Sequence, residues 1–255
     1  MNPSSKFENL VKLISILRKE CPWDRRQTHD SIKDNLIEEA YEAVEAIDKK
    51  DYDELSKELG DLLLHVIFHS KMASESGHFS IEDVILGISE KLIRRHPHVF
   101  GNTIVSNENE VASNWESIKL TEGKESILDG IPKHLPGLIR AQRMQEKAAN
   151  VGFDWADWQL AWEKLNEEID EWCESVAGQS ESEKKEEFGD LLFSLVNVGR
   201  LLNLNAEDSI RMANKKFDER FRYIEKKLTE KGKTITESNL EEMDAFWDEA
   251  KSIGK

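Results

Sequence analysis

Acidic side chains occur in pairs, three residues apart, at two places in the first half of the chain. Glu39 and Glu42 form one pair, and Glu58 and Asp61 form the next. Residues three apart on a helix share a face, so each pair points two carboxylates in one direction. If the two segments form antiparallel helices, as the short stretch between them requires, four carboxylates converge. Like charges this close cannot all stay ionised unless a cation lies among them.

A ligand set made only of carboxylates suits a small, hard divalent ion. Mg²⁺ is the first choice and Mn²⁺ an acceptable substitute, since both prefer oxygen ligands. Mg²⁺ also keeps several waters and binds substrate phosphates. An isolated acidic pair would say little, because the chain has 51 acidic residues and such pairs are usually solvated helix faces. The pattern becomes informative only if it recurs.

The pattern does recur in the second half of the chain. Residues 36–42 are echoed by 165–171, and residues 57–63 by 186–192, with the same offset of 129 positions. The repeated acids are Glu168, Glu171, Glu187 and Asp190, with Glu38 and Glu167 adjoining the two sets. The cations Lys91 and Arg95 recur as Lys216 and Arg220. Between the motifs, Asp51 and Asp53 are replaced by Ser180 and Ser182, so the repetition favours a metal site in each half over a solvated face.

The composition predicts an all-α fold. Charged residues make up 34% of the chain, whereas Gly and Pro number only 13 and 5, which is typical of long solvated helices. Apolar residues at helical spacing predict five helices. Three of them cover residues 7–17, 32–48 and 238–251, a fourth begins near residue 53, and a fifth follows a cap at Ser80. On the second of these helices we expect a buried apolar stripe, formed by Leu36, Ile37, Ala40, Tyr41, Val44 and Ile47.

The duplication sets the expected domain organisation. We expect tandem four-helix-type modules over residues 1–120 and 136–255, joined by a linker over 121–135 where Gly and Pro cluster. The net charge of −16 argues against a nucleic-acid partner. No stretch is apolar enough for a membrane span or a signal peptide, and the two cysteines, Cys21 and Cys173, form no disulfide framework. We therefore expect a cytoplasmic protein.

With these motifs the chain resembles the MazG nucleoside triphosphate pyrophosphohydrolases, all-α enzymes defined by an ExxE…ExxD pattern. The resemblance covers nearly the whole length and includes Cys21–His29, Arg94–Gly101 and Ala148–Trp155. Within this family the chain resembles the two-module bacterial form. It implies Mg²⁺-dependent cleavage of NTPs and dNTPs, over a broad range of bases, to a nucleoside monophosphate and diphosphate, for nucleotide-pool housekeeping. It also implies that the helical modules pair into a homodimer.

The resemblance and the residue chemistry together assign roles. We expect the eight repeated acids to bind metal. Either a non-ligating oxygen of this set or the adjoining Glu167 accepts a proton from the attacking water. Lys216 and Arg220, one turn apart, are placed to stabilise charge on the departing diphosphate. The resemblance also implies that Trp247 is an active-site residue. The first module offers Lys91, Arg95 and Trp23 for substrate binding. The resemblance slightly favours turnover in the second module.

Two alternatives remain for the chain as a whole. One is a specialised dUTP or damaged-nucleotide diphosphatase with the same chemistry. The other is a non-catalytic helical regulatory protein whose acids bind Mg²⁺ without turnover. A further pair, His65 and His69, has zinc-ligand spacing, but we expect a packing role because the sequence places no third His or Cys ligand near it.

Overall fold

The computed structural model describes residues 3–105, 107, 110, 111, 115, 118, 126–178 and 180–253. Every regular element in these residues is helical, which confirms the all-α prediction. The chain divides into two compact units, Met1–Ile104 and Val105–Lys255. The predicted linker begins at 121–125, outside the described residues, so the module limits at 120 and 136 stay predictions. None of the described helices is long and apolar enough to cross a membrane.

The first unit contains five helices. They are α1 (Phe7–Glu20), α2 (His29–Lys49), α3 (Tyr52–Glu75), α4 (Ile81–Arg95) and the short α5 (Pro97–Phe100). A single 3₁₀ turn, Asp24–Arg26, connects α1 to α2. The predicted cap at Ser80 is confirmed, because its hydroxyl accepts a hydrogen bond from the Asp83 N–H.

The second unit also contains five described helices. They are α6 (Gly137–Ala149), α7 (Trp158–Gly178), α8 (Glu181–Leu201), α9 (Ala206–Glu230) and α10 (Leu240–Ile253). Helices α7 and α8 correspond to α2 and α3 by the sequence repeat. The predicted C-terminal helix over 238–251 is confirmed as α10.

A tight turn folds α3 back along α2. Lys50 adopts the left-handed conformation with φ of 55°, and the Asp51 side chain caps α3 by accepting from the Glu54 N–H. A turn of this length forces the two helices to run antiparallel, and they pack along one another. In the second unit α7 and α8 are joined by an equally short connection and pack in the same way. Each pair therefore sets its two acidic segments side by side.

The apolar stripe predicted to be buried on α2 is largely exposed, so that prediction is wrong. Ile37 and Ile47 are 56% and 57% exposed, and Leu36 and Tyr41 also lie at the surface. The buried residues of α2 are instead Ile32, Ala43 and Ala46, which are small or near the end of the helix. Helix α2 thus meets its unit through a narrow face and leaves the broad apolar one uncovered in the single chain.

The core of the first unit lies between α1, α2, α3 and α4. It contains Ile14, Ile32, Ile67, Phe68, Met72 and Ile81. Arg18 anchors one side of this core: its guanidinium donates to the Gln27 carbonyl at 3.0 Å and pairs with Glu75 near the end of α3. The second unit has two smaller clusters, one around Ala161, Leu165 and Val198, the other around Ile224, Leu228 and Phe246.

Candidate metal centre in each unit

The α2–α3 pair brings three of the four predicted acids of the first unit together. One carboxylate oxygen from each of Glu39, Glu58 and Asp61 lies within 4.8 Å of the other two. Glu58 is only 8% exposed, while Asp61 is open to solvent. Glu42, one turn after Glu39, lies within hydrogen-bonding reach of the Glu39 carboxyl. The group is therefore buried at Glu58 and open to solvent at Asp61.

The ionisation of these acids shows the cost of bringing them together. Loss of hydration raises the pKa of Glu58, and the charges of Glu42, Glu54 and Glu39 raise it further. The pKa of Glu39 is raised by burial and by the charges of Asp61 and Glu42. Two carboxyl groups can hydrogen-bond only if they share a proton, so a cation is the alternative way to hold them together. This donor set fits a divalent metal ion.

The α7–α8 pair repeats the arrangement in the second unit. Oxygen atoms of Glu168, Glu171 and Glu187 lie within 4.8 Å of one another, and Glu168 is 6% exposed. Loss of hydration raises the pKa of Glu187, as do the charges of Glu171 and Asp190. The negative charge of Asp190 thus acts on this group, as the charge of Glu42 does in the first unit.

A lysine that the sequence did not single out lies at the second cluster. The Lys164 ammonium is 3.0 Å from a carboxylate oxygen of Glu167 and 3.0 Å from one of Glu168. These two hydrogen bonds raise the pKa of Lys164 above its usual range. The spacing of Lys164 and Glu168, four residues on one helix, was a signal for this contact. The repeat places Asn35 at the matching position of the first unit, so only the second cluster has this internal cation.

The predicted cations and aromatic residues lie on other helices. Lys216 and Arg220 are on α9, where Lys216 is exposed and the Arg220 guanidinium stacks over the Trp247 ring at 5.3 Å. Trp247 also contacts Phe217, and it packs on the cluster around Ile224. The structure therefore joins Arg220 with Trp247, as one group on α9 and α10.

The matching residues of the first unit are more dispersed. Lys91 and Arg95 lie on α4, with Lys91 exposed, and Trp23 is 65% exposed beside the 3₁₀ turn. Their predicted role in substrate binding stays a prediction.

A cavity of about 480 Å³ lies in the second unit, next to the acid cluster. Its lining includes the aromatic residues Phe153, Trp155 and Phe193, and the polar residues Gln145 and Asn197. Lys164 also lines it, so one side chain contacts both the cavity and Glu168. Gln145 is buried, with its Nε2 donating to the Phe193 carbonyl at 2.8 Å and its Oε1 without a hydrogen-bond partner in the described chain. The cavity thus combines apolar walls with a free acceptor.

The raised pKa values lead to a test of the first cluster. When a folded-state pKa exceeds the unfolded value, the folded chain binds the proton more tightly and loses stability as pH rises through that range. With metal chelated, we expect Glu58→Gln to raise the melting temperature at pH 7. The gain should vanish at about pH 3, below the ordinary pKa of glutamate, where Glu58 is protonated in both states. Thermal unfolding followed by circular dichroism at both pH values measures this.

A matched control separates this effect from overall charge. Glu90→Gln removes the same charge from an exposed position on α4. It should change the melting temperature little at either pH. Equal gains for both variants at pH 7 would mean that the chain's net charge, and not the cluster, is responsible.

Comparisons with known proteins agree on one family. The model of the MazG nucleotide pyrophosphohydrolase domain matches residues 27–100 and 159–224, one segment in each unit. The chain is 46% identical over 250 residues to the nucleoside triphosphate pyrophosphohydrolase/pyrophosphatase MazG of Thermotoga maritima, covering 96% of this chain and 95% of that protein. It is 41% identical over 259 residues to the nucleoside triphosphate pyrophosphohydrolase of Escherichia coli K12, covering 98% of each.

A third relative has a different length. The chain is 49% identical over 252 residues to the uncharacterized protein YabN of Bacillus subtilis, covering 96% of this chain but 52% of that protein. The family match falls twice on the chain, and each matched segment contains one acid cluster. The chain is a tandem member of the MazG nucleotide pyrophosphohydrolase family.

Proposed function

We propose that this chain hydrolyses nucleoside triphosphates to a nucleoside monophosphate and diphosphate. The observation that carries the proposal is the acid cluster present in both units. Its support from relatives is the near full-length similarity to two proteins named nucleoside triphosphate pyrophosphohydrolase. A broad range of bases, acting on ribo- and deoxyribonucleotides, is part of the proposal.

Mg²⁺ is the proposed metal, with Mn²⁺ as a substitute. Glu39, Glu42, Glu58 and Asp61 would hold it in the first unit, and Glu168, Glu171, Glu187 and Asp190 in the second. Their oxygen-only donor set supports a hard ion. Bound Mg²⁺ supplies charge neutralisation of the triphosphate and a more acidic water for attack at phosphorus.

The residues around the second cluster then have distinct tasks. Glu167 lies beside the cluster, exposed, and is the proposed proton acceptor for the attacking water. In the free chain its carboxylate is paired with Lys164. We infer that Lys164 leaves Glu167 and Glu168 when metal and substrate bind, and that its ammonium then pairs with a phosphate. Glu167 becomes free to accept the proton.

Lys216 and Arg220 are proposed to bind the phosphates that leave as diphosphate. A cation near the departing group stabilises charge that grows in the transition state. Arg220 is held in place by its contact with Trp247, which limits the orientations of the guanidinium. Trp247 is thus proposed to position Arg220 as well as to contact substrate. Lys91, Arg95 and Trp23 are the proposed counterparts in the first unit.

The cavity beside Lys164 is the proposed site of the nucleoside. Its volume of about 480 Å³ lies in the usual range for small-ligand sites. Phe153, Trp155 and Phe193 offer flat apolar surface for a base, while Lys164 marks the end nearest the acids. A nucleotide placed this way has its base in the cavity and its phosphates at the metal.

The first unit differs at this place, which supports turnover in the second. The repeat places Phe68 where the second unit has Asn197, and Phe68 is buried in the core of its unit. Likewise, His65 stands where the second unit has Ser194, a residue that lines the cavity. Both differences place a larger side chain in the first unit at a position that lines the cavity in the second. We propose that the second module carries the main activity.

A homodimer is proposed for the exposed apolar faces. In the first unit Ile37, Tyr41 and Ile47 lie at the surface of one helix. In the second unit Phe188, Leu192 and Leu195 are similarly exposed on α8. Apolar rows of this kind, on helices that carry the acids, support burial against another copy of the chain.

The activity assay is direct. Incubated with ATP and Mg²⁺, the chain should yield AMP and diphosphate, resolved by chromatography; ADP and phosphate would contradict the proposal. Glu187→Gln should lower kcat by about 100-fold or more, because metal stabilisation of transition-state charge is worth several kcal/mol. Glu181→Gln, exposed on the same helix, should leave the rate unchanged. Full activity in a Glu58→Gln, Glu187→Gln double variant would also exclude the proposed chemistry.

The nucleoside cavity is tested by replacing Asn197 with phenylalanine, the residue at the matching position of the first unit. Asn197→Phe should fill the cavity and raise KM for ATP by about tenfold or more, while Mg²⁺ affinity measured by calorimetry stays the same. Ser182→Phe adds the same ring at an exposed position of α8 and should leave KM unchanged. An unaltered KM in Asn197→Phe would place the nucleoside elsewhere.

The dimer is tested on the stripe of α2. Sedimentation equilibrium should give twice the chain mass of 29.4 kDa for the wild type. Ile37→Asp combined with Tyr41→Asp should shift it towards the monomer, because each buried carboxylate loses its hydration. Lys12→Asp, which adds the same side chain at an exposed position of α1, should leave the mass unchanged. A monomeric wild type at micromolar concentration would refute the assembly.

A further inference from the structure

Three histidines lie together in the first unit. His29 is the first residue of α2, and His65 and His69 are one turn apart on α3. The Nδ1 atoms of His29 and His69 are 2.7 Å apart. The ring centroids are 5.0 Å apart for His29 and His69, and 6.1 Å for His65 and His69. The sequence-based premise that no third histidine lies near the pair is therefore wrong.

The ring nitrogens of this group are incompletely paired. His65 is 9% exposed, and its Nδ1 is buried without a hydrogen-bond partner in the described chain. The Nε2 atom of His69 is also buried without a hydrogen-bond partner in the described chain. Burial lowers the pKa of both rings, so both are neutral at pH 7 and each has a lone pair to offer. Buried polar atoms without partners cost stability unless a ligand satisfies them.

Three imidazole side chains select among metal ions. Histidine nitrogen is a good ligand for Zn²⁺, Co²⁺, Ni²⁺ and Cu²⁺, whereas Mg²⁺ prefers oxygen. Two histidines four residues apart on a helix, joined by one from a neighbouring element, supply the three protein ligands of an open zinc site. His29 is exposed, so an ion and a water can reach the group from solvent.

We propose that His29, His65 and His69 form a site for a transition-metal ion of the Zn²⁺ or Co²⁺ type, separate from the acid cluster. The ion takes the place of the proton that lies between His29 and His69, and that proton moves by way of solvent to the Nε2 of its own ring. Their two nitrogens then move apart to roughly 3.3 Å, the separation set by tetrahedral bonds of about 2.0 Å. The His65 ring turns towards the same point, and water completes the coordination.

The second unit lacks this group. The repeat places Trp158, Ser194 and Val198 at the positions of His29, His65 and His69. None of these three side chains is a common ligand for such an ion. The site belongs to the first unit alone, so the whole chain should bind one such ion apart from those at the acids.

The test uses Co²⁺ as a probe in the full-length protein. Excess Mg²⁺ keeps the acid clusters occupied, which matters because the Asp61 charge acts on the His65 ring. We expect one Co²⁺ per chain to give the strong visible absorption of four-coordinate cobalt with nitrogen ligands. Added Zn²⁺ should displace it and remove the colour. Weak bands alone, typical of six oxygen ligands, would overturn the proposal.

Single variants assign the ligands. His29→Gln and His69→Gln should each weaken Co²⁺ binding by at least about tenfold, a loss that even supporting residues of metal sites produce. His78→Gln, an exposed histidine of the same unit, is the control and should bind as the wild type does. Circular dichroism checks folding, and His29, being exposed, gives a variant that keeps its core. Unchanged binding in His29→Gln, or equal loss in His78→Gln, would refute the site.

Discussion

Repulsion between carboxylates held across a pair of antiparallel helices is the constraint on which both units depend. Glu39 and Glu58 lie on different helices, yet the tight turn at Lys50 brings their oxygens within 4.8 Å of each other. Burial raises the pKa of both acids, and the neighbouring negative charges raise it further. A divalent cation relieves this repulsion, so the helical pairing that stabilises the fold also creates the demand for metal.

The sequence was informative where geometry follows from helical spacing. Glu168 and Glu171 share a face because they are three apart, and the repeat identified their partner Glu187 on the next helix. The burial of α2 could not be predicted in the same way. An apolar stripe shows which face avoids water, but it does not show whether the same chain or another covers it, and Ile37 and Ile47 are left uncovered here.

Contacts between residues distant in sequence were beyond the same reasoning. His29 lies 40 positions from His69, and only the packing of α2 on α3 brings their rings together. The cavity beside Lys164 likewise needs residues of α6, α7 and α8 at once. The ion pair of Lys164 with Glu168 could have been predicted, since residues four apart on a helix are neighbours. The many charged residues of the chain obscured it.

If the acid clusters bind metal as proposed, the contact between Lys164 and Glu168 gives the two units different modes of metal uptake. In the first unit an incoming ion would replace the protons that the carboxyl groups share. In the second it must also compete with an ammonium group already attached to the deepest acid. In the proposed mechanism a polyphosphate takes over that ammonium group, so ion and nucleotide would assist each other's entry there. The second unit would then favour joint loading, and its affinity for the bare ion would be a poor guide to its occupancy when nucleotide is abundant.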